Sequence, residues 1–187
     1  MKKKMLSVRW AALPLVLLLA ACDPFGTNPR PQPQQSPDET EGYAPVYASP
    51  EDAAKITATD VRPIEKGGKI YVKGNMLYQV EVGKGIHVIN INDGSNPQKI
   101  KFIQVTGAQE MSIMDNYLYT NHINDLVVLN IADINNVELV DRVTGMFHLV
   151  DPELPPASGW FECVDESKGV VVGWELKTLY KPVCRKN

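Results

Sequence analysis

After Val61 the apolar residues of this chain fall at every second position. Ile70 and Val72, then Tyr78, Val80 and Val82, alternate with lysine, glutamine and glutamate, the pattern of strands with one face buried. Ile86-His87-Val88-Ile89-Asn90-Ile91 and Leu126-Val127-Val128-Leu129-Asn130-Ile131 are more evenly apolar, which predicts inner strands. Between the runs stand the residues that turns demand: Gly67-Gly68, Gly74-Asn75, Gly83-Lys84-Gly85, Asp93-Gly94, Asn96-Pro97, Asp115-Asn116 and Asn135-Asn136. No helix-length amphipathic stretch interrupts them, so the expected fold is all-β and antiparallel.

The pattern is duplicated. Asn75-Met76-Leu77-Tyr78 matches Asn116-Tyr117-Leu118-Tyr119 at an offset of 41, Val88-Ile89-Asn90-Ile91 matches Val128-Leu129-Asn130-Ile131 at 40, and Val105-Thr106-Gly107 matches Val143-Thr144-Gly145 at 38. A period near 40 carrying four short strands is the spacing of a propeller blade, a unit that buries its sheet faces only against its neighbours. A closed ring of at least four such blades takes about 160 residues, whereas residues 63–187 number 125. The expectation is therefore two full propeller-like repeats and a partial third, Trp160 to about Leu179, in a ring that does not close. Bare sheet faces and edges invite pairing with another chain, so the module self-associates, docks on a partner, or is the shortened remnant of a longer propeller.

The first residues read as an address. Lys2, Lys3, Lys4 and Arg9 precede an apolar run from Ala11 to Ala20, too short for a permanent span and suited to an export signal. Leu19-Ala20-Ala21-Cys22 resembles the bacterial lipobox, which implies that residues 1–21 are removed and that acylated Cys22 anchors the chain in membrane lipid. Loss of four positive charges changes the net charge from −3 to −7. An acidic module with no basic block has no charge-based affinity for nucleic acid. Residues 22–62, with prolines at 24, 29, 31, 33, 37, 45 and 50 and few aliphatics before Ala53, read as an extended, solvated tether. Within it Ser49-Pro50-Glu51-Asp52 supplies an N-cap, a proline at the first helical position and acids in the first turn, enough for one helical turn through about Lys55. Residues 63–187 then form the β domain.

Leu126-Val127-Val128-Leu129-Asn130-Ile131, taken with Gly68-Lys69-Ile70-Tyr71-Val72, Lys84-Gly85-Ile86-His87-Val88-Ile89 and Lys168-Gly169-Val170-Val171-Val172-Gly173, resembles the LVIVD-repeat propeller lipoproteins of bacteria over about residues 43–184. Asn130 stands where the repeat's name has aspartate. The resemblance implies a lipid-anchored propeller-type module of the cell envelope and supplies no catalytic residues.

Candidate chemistry is sparse. With Cys22 lipidated, Cys163 and Cys184 are an even pair in an oxidising compartment and are expected to form a disulfide. His87, His122 and His148 sit singly with no CxxC or HxxxH, so neither a metal nor a cofactor is expected, and His87 on its inner strand reads as a hydrogen-bonded structural residue. Asn90 to Asn96 is rich in oxygen donors but lacks the distal glutamate of a calcium loop, and reads as a turn between repeats. Asp165-Glu166, Trp160 and Trp174 are the handles for an alternative function, a glycan-binding or glycan-acting module; the leading expectation is a non-enzymatic interaction or scaffold module that meets an envelope protein or its own copies.

Overall fold

The computed structural model describes residues 35–187. In chain order the elements are β1 (Glu39–Ala48), α1 (Pro50–Ala54), β2 (Ile56–Thr59), β3 (Gly67–Lys73), β4 (Met76–Glu81), β5 (Gly85–Asn90), β6 (Gln98–Val105), β7 (Met111–Met114), β8 (Tyr117–His122), β9 (Asp125–Asn130), β10 (Glu138–Val143), β11 (Gly159–Phe161), a 3-10 turn (Glu166–Lys168), β12 (Val170–Tyr180) and β13 (Cys184–Lys186). The protein is mostly β, in three sheets ordered β2-β6-β5-β4-β3, β10-β9-β8-β7 and β12-β1-β11-β13. None closes into a barrel. All pairings are antiparallel except one contact, Tyr43 with Phe161 between β1 and β11.

The duplicated segments occupy equivalent places in two meanders, β3 to β6 and β7 to β10. Gly74 (φ +56°) and Asp115 (φ +51°) stand at the same point of the first hairpin in each. After the third strand, the Asn90 side chain accepts the N–H of Asn92 at 2.8 Å and Asp93 that of Ser95 at 2.9 Å; Asn130 and Asp133 do the same for Ala132 and Asn135 at 3.0 and 2.9 Å. The N–H groups of Ile91 and Ile131 donate back to the carbonyls of Asn75 and Asn116, both at 2.8 Å. Asn and Asp recur here because a short acceptor side chain closes a turn on its own backbone, and that occupies the oxygens the sequence had made conspicuous.

The two sheets pack face to face. Tyr78, Val80, Ile86, Val88 and Ile103 of one meet Ile113, Leu118, Val127 and Leu129 of the other in a single core cluster. β5 is buried along almost its whole length because strands flank it on both sides and its apolar run has no polar face to spare. β3 departs from the half-buried reading: Ile70 and Val72 are 53% and 54% exposed, while Tyr71 turns inward and donates its hydroxyl to the Ile113 carbonyl at 2.8 Å. An edge strand beside β7 gains more from the one side chain long enough to reach across.

The tether assignment for residues 22–62 needs correcting. Its part before residue 35 lies outside the described residues, as do the signal segment and Cys22, but β1 and β2 belong to the fold. β1 is an interior strand, paired over ten residues with β12 and flanked on its other side by β11; Gly42, Ala44 and Pro45 are buried. β2 extends the first sheet along β6. Proline content suggested that this stretch could not pack. It packs because its partners are supplied by the far end of the chain, and because Gly42 leaves room for the close approach of the Trp160 carbonyl, which a Cβ would meet at 2.4 Å. The third sheet is consequently not a fragment of β11 to β13 alone, since β1 completes it to four strands. Between β1 and β2, Ser49 caps α1 by accepting the Asp52 N–H at 3.0 Å.

Candidate functional site

The first and third sheets and the segment between β10 and β11 enclose a cleft of about 640 Å³. Its walls are positioned by loops that the backbone holds tightly. Gly83, in the β4–β5 turn, donates to the Ala108 carbonyl at 2.7 Å and accepts from the Gly107 N–H at 2.9 Å. Gly107 adopts φ +79° with its α-carbon so close to Ile123 that a Cβ would lie 2.7 Å from that residue's nitrogen, so glycine is required there. On the opposite wall, Asn124 acts as a clamp: its side-chain oxygen accepts the N–H groups of Leu149 and Val150, both at 2.9 Å, and its amide donates to the Val150 carbonyl at 2.7 Å. The Trp174 indole N–H donates to the Asp151 carbonyl at 2.8 Å, tying β12 to the same segment, and the ring meets Phe161 edge-on at 5.8 Å.

The cleft mixes apolar walls (Val46, Val82, Val172, Leu154) with Lys66, Lys84, Lys186 and His148 on one hand and Asp151 and Glu175 on the other. Lys84 pairs with Glu65, and Lys186 donates to the Pro155 carbonyl at 2.6 Å. The Asp151 carboxyl is held below the usual range by the N–H groups of Glu153 and Leu154. Among the described residues that line the cleft there is no serine, threonine or cysteine, so it offers no hydroxyl or thiol nucleophile. The arrangement suits an amphipathic guest, with flat apolar area to cover and charged groups of both signs at the rim.

Two polar clusters, each built around a buried histidine, lie one in each duplicated sheet. Glu81, 1% exposed, accepts the N–H groups of Glu65 and Lys66 and bonds His87 Nε2 at 3.0 Å; His87 meets Phe102 edge-on at 4.9 Å. Burial works to raise the Glu81 pKa, but the Lys66 N–H, the His87 side chain and the Glu65 N–H outweigh it and hold the carboxyl below its ordinary value. In the second sheet His122 Nδ1 lies 3.2 Å from Arg142, which pairs with Asp125 at 2.6 Å. Burial first, and the Arg142 charge second, lower the His122 pKa. The sign follows: a histidine whose folded pKa lies below its unfolded one favours unfolding as pH falls through and below about 6.5. Urea midpoints are therefore expected to drop between pH 7.5 and 5.5, above the carboxylate range, and His122→Gln should reduce that drop; an unchanged pH dependence in the variant would exclude this origin.

The structure separates the residues singled out for glycan chemistry. Trp174 lines the cleft. Trp160 instead lies under the Arg185 guanidinium, 5.4 Å from its centroid. Asp165 caps the 3-10 turn through the Ser167 N–H at 3.1 Å, its own N–H bonded to the Tyr47 hydroxyl at 2.7 Å, so Asp165 and Glu166 lie outside the cleft lining. Cys163 and Cys184 are joined in a disulfide. Asn124 and Asp151 were not legible as site residues, and His148 stood out only as a single histidine; for Asn124 the signal in the chain is its place beside Asp125 between β8 and β9. Among the described residues no three His, Cys, Asp or Glu side chains gather as a metal set.

No family model, no curated protein and no solved structure matches the chain.

Proposed function

We propose that this chain is a lipid-anchored, non-enzymatic module of a bacterial cell envelope, built from propeller-type repeats like those of LVIVD lipoproteins, which holds a partner protein of the envelope at the cleft. The observation that carries the reading is the second meander standing on the first with the same positive-φ hairpin position and the same Asx turns at the same points. Repeats that bury one face against each other and leave their connecting loops free are how repeat folds make binding surfaces, and here the loops of the first meander line the cleft. The disulfide fits an oxidising compartment, and the Lys2–Lys4, Ala11–Ala20 and Cys22 pattern fits export with lipidation. Acylation of Cys22 gives several chains, each buried methylene worth about 0.8 kcal/mol, hence a stable anchor to membrane lipid.

Two measurements test this. A clickable palmitate analogue fed to producing cells should label the full chain and leave Cys22→Ala unlabelled and released from membranes. A photo-crosslinking residue at Gln109 or His148, on the cleft, should trap one discrete envelope protein, while the same probe at Asn96, remote from it, should not. Labelling without any cleft-specific adduct would leave the anchor and overturn the binding role. A second reading, a glycan-binding module, is favoured by the Trp174 indole beside Glu175 and Gln109 in the cleft. A glycan array signal lost in Trp174→Ala would replace the protein partner by a sugar.

A further inference from the structure

β12 is the longest strand in the molecule, 11 residues, and it lies at the edge of its sheet with β1 as its one partner among the described residues. The other sheet edges are shorter or disturbed. β2 and β7 have four residues each and β13 three, β3 has seven with a register irregularity between Gly67 and Ile70, and β10 carries one between Leu139 and Asp141. Short edges and bulges are the usual protections against strand addition. β12 has its one irregularity near Val172, opposite Val46 and Tyr47, which leaves Gly173 to Tyr180 as a regular run without proline. That run carries exposed apolar side chains where a free surface is normally polar: Leu176 is 57% exposed and Tyr180 72%, with Val183 just beyond at 82%.

We infer that this edge pairs with the same edge of a second copy of the chain, antiparallel across a twofold axis, with Leu176 opposite Leu176. The charges choose both partner and register. With Leu176 on the axis, Glu175 of each copy faces Lys177 of the other, so two opposite-charge pairs flank the central leucines. Moving the axis to Glu175 sets two glutamates face to face, and moving it to Lys177 does the same with two lysines. Shifts that place the axis between residues oppose a charge to Leu176. A second copy is therefore complementary in one register and penalised in its neighbours, which is how register is specified on a pleated edge. In that register Thr178 and Tyr180 of the second copy fall opposite Trp174 and Val172, both on the cleft, so each copy adds side chains beside the other's cleft. The pairing itself does not depend on what the cleft holds or on the lipid at Cys22.

Sedimentation velocity of the detergent-solubilised full chain tests it. The wild type is expected to be a dimer at tens of micromolar. Glu175→Lys or Lys177→Glu alone should weaken the dimer about tenfold, since each puts like charges opposite one another twice. The double reversal should restore it, and an equimolar mixture of the two single variants should form heterodimers in preference to either homodimer. Lys177 also meets Glu162 of its own chain at 3.2 Å, but that contact is lost equally in Lys177→Glu and in the double variant, so the rescue reports pairing between copies. Both positions are exposed, and an unchanged far-ultraviolet circular dichroism spectrum verifies each variant's fold. A monomeric wild type, single reversals that leave the dimer intact, or a double reversal as weak as the singles would each overturn the inference.

Discussion

Replacing Glu81 with leucine is expected to destabilise the protein by about 3–5 kcal/mol, the usual cost of removing one member of a buried, hydrogen-bonded ionisable pair. Three partners lose their acceptor at once: the backbone N–H groups of Glu65 and Lys66 and the imidazole of His87, which is fully buried. The first two matter for more than stability, because they hold the segment that leads into β3, and Lys66 lines the cleft. Glu81→Gln keeps an acceptor and should cost about 1 kcal/mol, the net worth of a hydrogen bond rather than of a stranded group. The pH dependence carries an independent signature. The Glu81 carboxyl is held below its ordinary value in the folded state, so its contribution is present above the unfolded pKa of 4.5 and is lost as pH falls through the folded value. Urea titrations followed by circular dichroism at pH 7 and pH 4 should show the wild type losing stability on acidification and Glu81→Gln losing less. A loss in Glu81→Gln as large as that in Glu81→Leu would mean that the site requires the carboxylate's charge and not an acceptor alone.

The second large effect is expected at the disulfide. Cys163 and Cys184 are 21 residues apart, and opening a loop of that length returns roughly 3 kcal/mol of chain entropy to the unfolded state. β13 depends on the bond more than that figure conveys. It has three residues, pairs among the described residues with β11 alone, and carries Lys186, whose ammonium holds the Pro155 carbonyl at the cleft wall. A Cys163→Ala/Cys184→Ala variant should therefore show a urea midpoint lowered by the full amount, together with fast amide exchange confined first to β13 and the neighbouring residues 150–156. Reduction of the wild type should reproduce both changes. A loss below about 1 kcal/mol would indicate that the unfolded chain keeps the two segments close without the bond.

What could be read along the chain was whatever repeats or punctuates locally. The period-two runs, the Gly74-Asn75 and Asp115-Asn116 hairpins, and the Ser49 cap with Pro50 are interactions between residues a few positions apart, and their residue types are chosen for that short-range geometry. The cleft was less legible. Trp174 attracted notice for its aromatic ring, but its grouping with Gln109 and Asp151 brings together β12, which also carries Glu175, and two loops that meet only after the sheets stack. The Glu81–His87 pair was half visible, since a histidine inside an apolar run predicts a partner without saying which carboxylate reaches it.

The sequence by itself determined that this chain makes short antiparallel strands in duplicated units, because alternation, turn chemistry and the offset of 40 to 41 residues are properties of neighbouring positions. Only the tertiary structure decided that Glu39–Ala48, within the stretch read as a tether, is an interior strand, that it completes the third sheet, and which edge has no further strand beside it among the described residues. Those outcomes are set by which distant strand offers free N–H and C=O groups and an apolar face, here β12 to β1, and a backbone hydrogen bond carries no residue type by which its partner could be named in advance.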